Sequence, residues 1–337
     1  MSAPLWKPSD ERVERAQMSA FTRRAEVEAG QRFENYAALH RWSIDEPEAF
    51  WRSVWSFCEV VGEGPGERVL VGGKRMPGAC WFPDARLNFA ENLLRRRDAA
   101  PALVFHDEAG ARRLISFADL HGQVGRLAAA LRGLGLEAGD RVAGFLPNLP
   151  EAVIATLASA SLGAIWTSCS PDFGPRGVLD RFAQVEPRVL FCADGYRYNG
   201  RRFDCLESVG EILSELPSVD QIVVIPNLSQ QPDLGDLPKA LRFDEFAAGP
   251  TPEEIPFARL PFDHPLVILY SSGTTGPPKC IVHGAGGTLL QHAKEHRLHV
   301  DLAAGDRLFY FTTCGWMMWN WLASGLAARA ALVLYDG

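Results

Sequence analysis

Tyr270-Ser-Ser-Gly-Thr-Thr-Gly-Pro-Pro-Lys279 sets four hydroxyl side chains, two glycines and a lysine between two apolar runs. Pro265-Leu-Val-Ile-Leu-Tyr270, before it, has the length and β-branched character of a buried strand, and Cys280-Ile-Val-His283 reads as a second strand leaving the loop. Gly273 and Gly276 can adopt φ > 0 and let backbone N–H groups close on an anion, while Ser271, Ser272, Thr274 and Thr275 add hydroxyl donors. Lys279 supplies charge, and Pro277-Pro278 stiffens the exit so that less entropy is lost when a ligand orders the loop. The pattern predicts a polyphosphate-binding loop hung from a sheet. An ordinary Ser/Gly turn requires neither the hydroxyl quartet nor the closing lysine. A Walker A loop is excluded by spacing: two prolines separate Gly276 from Lys279, and Cys280 stands where a Ser or Thr would meet magnesium.

Elsewhere the chain alternates strand and helix. Ser116-Phe-Ala-Asp119 resembles a capping box that opens a helix with its stripe at Phe117, Leu120, Val124, Leu127, Leu131 and Leu134, stopping at Gly135. A strand is predicted at 141–146, a proline-opened helix at 150–162, and strands at 164–167, 189–192 and 221–225, with a helix around 206–216. The fold class expected is α/β: a helical N-terminal cap followed by a layered, mostly parallel sheet covered on both faces. Segment 227–251, rich in Pro, Gln, Asp and Gly, reads as a surface excursion. Asp45-Glu-Pro-Glu48 is a helix start, with Phe50, Val54 and Phe57 falling on one face. After the loop, 288–299 reads as a helix with Leu289, Ala293 and Leu298 inward, and 308–313 as a strand running into Cys314-Gly-Trp-Met-Met-Trp-Asn-Trp321. Three tryptophans and two methionines within six residues fit core packing and a binding wall equally well.

The loop matches Ser-Ser-Gly-Thr-Thr-Gly-x-Pro-Lys and resembles the phosphate loop of the adenylate-forming superfamily of acyl-CoA synthetases. The span from Val267 to Gly337, with Val282-His-Gly-Ala-Gly-Gly-Thr288 and the Trp/Met block, resembles the acetoacetate-activating group within it. Tyr36-Ala-Ala-Leu-His-Arg-Trp-Ser-Ile-Asp45 and Trp81-Phe-Pro-Asp-Ala-Arg-Leu-Asn-Phe-Ala-Glu-Asn-Leu-Leu94 are similar to the N-terminal segment of the short-chain enzymes and the entry to their adenylation domain. The resemblance implies an N-terminal helical segment over 1–98 and part of an adenylation domain over 99–337. It implies ATP and CoA as substrates with Mg2+, and ligation of acetoacetate to CoA through acetoacetyl-AMP and pyrophosphate. It puts the phosphates on Ser271, Ser272, Gly273, Thr274, Thr275, Gly276 and Lys279, and Trp316, Met317 and Met318 at the acyl pocket. It also puts a basic segment for CoA at Tyr196-Arg-Tyr-Asn-Gly-Arg-Arg202, where Arg197 and Arg201 are candidates for the 3′-phosphate and a solvated Arg-rich turn is an equal alternative. The family's adenine and ribose contacts and its lid lysine lie downstream of this region and are expected beyond Gly337. Hence two readings stay open: a ligase acting on acetoacetate or another short acid, complete or as its N-terminal portion, or a non-catalytic nucleotide-binding module.

Composition fits a folded α/β body. The 337 residues are 47% hydrophobic, and the formal charge of −7 with no basic stripe argues against a nucleic-acid partner. No apolar run reaches a membrane span and the start lacks an apolar leader, so the cytoplasm is the expected compartment. Seven cysteines without a C-x-x-C pair are expected to be reduced core thiols. His292, His296 and His299 share helical spacing and are expected on a solvated helix face, with no metal site.

Overall fold

The computed structural model describes residues 5–235, 237–271 and 276–337. Its centre is a seven-stranded sheet in the order Ala240–Arg242, Gln221–Ile225, Val189–Ala193, Arg141–Phe145, Ile165–Cys169, Pro265–Ser271, Lys279–Gly284. Every neighbouring pair is parallel except the last, an antiparallel hairpin whose turn is the glycine-threonine loop. Side chains alternate across this sheet. Val142, Phe191 and Val223 face the larger apolar cluster with the helices Phe117–Gly133 and Pro150–Leu162; Ala143, Leu190 and Val224 face a second cluster with Pro175–Phe182 and Leu206–Ser214. Fully burying one such Val, Leu or Phe contributes about 1.5–3 kcal/mol before entropy is counted.

Pro150–Leu162 has no exposed residue, because it lies between the sheet and the rest of the core; Pro150 sets its first turn and Gly163, at φ 81°, ends it. Ser116 caps Phe117–Gly133 by accepting the Asp119 amide at 3.0 Å, as its sequence predicts. A second sheet, ordered Arg307–Phe309, Ala331–Asp336, Pro101–Asp107, Arg112–Ser116, stands beside the first.

The N-terminal helices Gln17–Ala29, Tyr36–Asp45 and Pro47–Phe57 join the same apolar cluster as the sheet. Trp55 and Phe82 meet at 5.2 Å between ring centroids, and Phe82 meets Phe262 at 4.9 Å, just before the strand that leads to the loop. An aromatic column thus runs from the N-terminal cap to the foot of the loop hairpin.

Four expectations fail. The helix after the hairpin starts at Ala285, three residues early, and its last turn, Glu295–His299, is a π-helix. The early start follows from backbone pairing: the Ala285 and Gly286 amides donate to the carbonyls of His264 and Phe262, so no polar cap is needed. Of the segment 308–313 only Leu308 and Phe309 are in a strand, Arg307–Phe309, since residues beyond Phe309 have no partner in the sheet. The presumed surface excursion contains the edge strand Ala240–Arg242 and the short helix Phe243–Phe246, and the Asp194 carboxylate accepts the amides of Asn227, Leu228 and Ser229 at its start. Finally, Cys280 is exposed and Cys80 half-buried; the other five cysteines are buried, and burial pushes the Cys58 thiol up to about 11 and Cys169 up to about 12.

Candidate active site

In a parallel sheet, ligands gather outside the carboxyl ends of the strands near the point where strand order reverses. Here the chain runs outward one way through Arg141–Phe145 and Ile165–Cys169 and the other way through Val189–Ala193. A cavity of about 350 Å3 opens at those ends, lined by Asn148, Ser170, Asp172, Tyr196, Arg197, Thr313, Tyr335 and Asp336 among others. Burial raises the Asp336 carboxyl to about 6, with the nearby Asp107 and Glu108 acting in the same direction.

The loop hairpin rises from the next strand pair. Ser271 pairs with Lys279 across its base, Gly276 takes φ 89°, and Lys279 is exposed at the start of the returning strand. Ser272, Gly273, Thr274 and Thr275, four of the seven predicted phosphate contacts, lie outside the described residues. The flanks are braced. The Thr167 hydroxyl donates to the Ile268 carbonyl and meets the Tyr270 hydroxyl, each at 2.9 Å, and the Gln184 side chain donates to the Pro278 carbonyl at 2.9 Å. Arg181 lies 5.9 Å over the Tyr270 ring, and burial raises the Tyr270 phenol, which stays neutral.

Behind the returning strand lies a cavity of about 690 Å3, bounded by Val282, His283 and Gly284 of the hairpin, Gly287, Thr288, Gln291, His292 and Glu295 of the following helix, and Met317, Met318 and Trp321. The predicted methionine pair therefore lines a real cavity. Trp316 does not: it is 67% exposed and lies outside the lining, because it precedes the helix Met317–Ala323 and its backbone is still extended. The helix is fixed from behind, where fully buried Trp319 donates to Asn148 at 2.9 Å and the Ser168 hydroxyl donates to the Cys314 carbonyl at 2.7 Å.

The histidines correct a second expectation. His299 is exposed, but His292 and His296 are 7% and 1% exposed, because the helix that carries them is packed against the segment Trp321–Ser324. Burial lowers His292 to about 3, helped by neighbouring His296, and lowers His296 to about 4, so both rings are neutral. Sequence reasoning missed Thr288, Gln291, His292 and Glu295 as cavity residues, although their spacing of three and four places them on one helix face. Among the described residues no group of three His, Cys, Asp or Glu side chains gathers as a metal site, and no helix is long and apolar enough to cross a membrane.

The two arginines separate. Arg197 lines the cavity at the strand ends; Arg201 is exposed on the partner strand of its hairpin, stacked 5.3 Å over Phe203.

The model of the "AMP-binding enzyme" family matches residues 89–337, and that of "Acetyl-coenzyme A synthetase N-terminus" matches 36–93. The chain is 52% identical over 335 residues to an acetoacetyl-coenzyme A synthetase of Rhizobium meliloti, covering 99% of this chain and 51% of that protein. It is 45% identical over 346 residues to a malonamoyl-CoA synthetase of Penicillium aethiopicum, covering 99% and 48%. An acetoacetyl-CoA synthetase structure from Streptomyces lividans superposes with a TM-score of 0.93 at 47% identity, covering 100% of this chain and 52% of that one. The chain spans about half the length of the relatives it matches. With a family model covering 89–337 and a fold that presents its loop at the strand ends, this chain belongs to the AMP-binding enzyme family.

Proposed function

We propose that this chain forms the acid- and phosphate-binding half of an ATP-dependent acetoacetate:CoA ligase working through acetoacetyl-AMP. The observation that carries the reading is the 690 Å3 cavity beside the loop hairpin, walled by Met317 and Met318. In this reading a carboxylate bound there attacks the α-phosphorus of a nucleotide held by the loop and expels pyrophosphate. MgATP is the substrate, and the loop with Lys279 stabilises charge that develops on the transferring phosphate. CoA thiol then displaces AMP, with Arg197 as the candidate contact for its phosphates. We take 1–98 as the N-terminal segment and 99–337 as part of the adenylation domain, with the adenine contacts and lid lysine supplied by further sequence.

Two flexible thioethers suit an unbranched chain longer than acetate. Apolar walls discriminate by about 1–3 kcal/mol per methylene, so preference is expected and absolute exclusion is not. The relatives themselves differ in their acids, acetoacetate in one and malonamate in another by name. The test compares kcat/KM for acetoacetate, acetate and butyrate in the full-length polypeptide carrying this sequence, wild type and Met317→Val. Acetate as the best wild-type substrate would replace this reading with a general short-chain acyl-CoA synthetase; no adenylation of any acid would leave a nucleotide-binding module.

A further inference from the structure

The wall of this cavity mixes side chains that cannot offer a hydrogen with some that can. Val282, Met317 and Met318 have none to give, and Glu295, which pairs with Lys294 at 2.9 Å and accepts from the Gln291 amide at 3.1 Å, only accepts, whereas His283, Thr288, Trp321 and the second amide hydrogen of Gln291 remain donors. His292 differs. Its Nδ1 lies 2.9 Å from the buried Ser324 hydroxyl, while Nε2, its other ring nitrogen, has no protein partner among the described residues.

The network behind His292 couples its tautomer to one hydroxyl. Trp321 offers a carbonyl 2.9 Å from His296 Nε2; a carbonyl only accepts, so that nitrogen carries the hydrogen. His296 Nε2 is also 3.1 Å from Ser324 Oγ, which can share the same hydrogen. The single Ser324 hydrogen has two outlets, the Trp321 carbonyl at 2.7 Å or His292 Nδ1 at 2.9 Å. The first leaves a lone pair on His292 Nε2 facing the cavity; the second leaves an N–H there. Neither strands a hydroxyl or carbonyl, so rotating one hydroxyl, with the ring proton moving between its nitrogens, selects between them.

A saturated acid chain asks nothing of that nitrogen, whereas a 3-oxo chain carries a carbonyl oxygen that only accepts. We infer that His292 donates its Nε2–H to the 3-oxo oxygen of the acyl substrate, with Ser324 as the positioning residue whose hydroxyl, turned onto His292 Nδ1, leaves the hydrogen on Nε2, and His296 as the donor that holds Ser324 in place. This rests on the proposed acyl role of the cavity. No other described lining side chain is backed by such a buried chain on the side away from the ligand, and that preorganisation distinguishes His292 from His283, Thr288, Gln291 and Trp321, which also line the space with donors.

The test measures kcat/KM for acetoacetate and for butyrate, its counterpart without the oxo oxygen, in the full-length polypeptide carrying wild-type sequence, His292→Leu, Ser324→Ala or Thr288→Val. Removing a buried donor from a ligand carbonyl is expected to lower acetoacetate turnover by about 10–100-fold and to leave butyrate within about threefold. Ser324→Ala should shift the ratio in the same direction by less, and it carries the test if the leucine variant fails to fold. If wild type favours acetoacetate and both variants keep its acetoacetate-to-butyrate ratio, or if only Thr288→Val changes it, the assignment to His292 is overturned while the function stands. If wild type itself favours butyrate, the acetoacetate reading has failed and this inference with it.

Discussion

Trp319 Nε1 donates to Asn148 Oδ1 across 2.9 Å, with both residues buried, and so ties the helix behind the methionine-lined cavity to the carboxyl end of Arg141–Phe145. Replacing the indole leaves the Asn148 oxygen buried and unpaired. We expect Trp319→Phe to destabilise the fold by about 1–3 kcal/mol from the lost partner, with a further cost from lost volume. Urea unfolding of the 337-residue chain measures it; a midpoint equal to wild type would mean that water reaches Asn148.

Gly286 is the second structural test. A Cβ there would sit 2.2 Å from the Phe262 ring, at the end of the aromatic column from Trp55. Gly286→Ala must push the ring or the helix aside, costing about 1–3 kcal/mol. Gly287→Ala, with open space at its Cβ, should be tolerated. Equal melting temperatures for the two variants would contradict this packing.

The buried histidines set a pH dependence. Both are neutral in the fold, with values lowered to about 3 and about 4 from an ordinary 6.5. The unfolded chain therefore binds more protons between those values, so their contribution is fully present above pH 6.5 and is lost as pH falls toward 4. The slope is at most about 1.4 kcal/mol per pH unit for each histidine. Asp336, raised to about 6, acts oppositely, its contribution fading as pH rises from 3.8 through 6. Two histidines outweigh one carboxyl, so the urea midpoint should be lower at pH 5 than at pH 7. A midpoint that is higher at pH 5 would require charged rings in the fold.

Lys279 is exposed at the root of the loop, free to reach a phosphate. In the full-length polypeptide, Lys279→Ala should slow acetoacetate-dependent pyrophosphate formation by the equivalent of about 1.5–3 kcal/mol, the worth of a charge-assisted contact. An unchanged rate would remove Lys279 from the chemistry.

For CoA, the cavity position of Arg197 separates it from Arg201. Arg197→Ala should raise the KM for CoA several-fold more than Arg201→Ala does, without changing pyrophosphate formation. Equal effects, or none, would return the hairpin to the status of a solvated turn.

What the sequence made legible follows from how locally each element is determined. Gln221–Ile225 and Pro150–Leu162 carry their own boundaries, a β-branched run in one and a proline and glycine in the other, and both were readable to the residue. Tyr310 to Thr313 has strand-forming side chains, yet a strand needs a neighbour, and the partner Ala331–Val333 reaches only to Phe309. The spacing of His292 and His296 correctly put them on one helix face, but nothing local says that Trp321 and Ser324 cover it. Trp316 and Met317 were likewise indistinguishable as a pair until the helix began between them. The loop's residue types, hydroxyls, glycines and a lysine, are what made the sequence point to a polyphosphate, and that reading stands as a proposal.

The second sheet pairs Leu332 with Leu103 and Val333 with Val104, partners separated by more than two hundred residues of chain. Its central strand pair cannot form while a ribosome is still making the intervening segment. Pro101–Asp107 can pair early with its neighbour Arg112–Ser116, but its other edge stays open until Ala331–Asp336 has been made. Long-range closure of this kind slows folding, because loop entropy is lost before the contacts that compensate for it exist. The hairpin Pro265–Ser271 with Lys279–Gly284, by contrast, pairs neighbours in sequence, so its own closure loses little loop entropy.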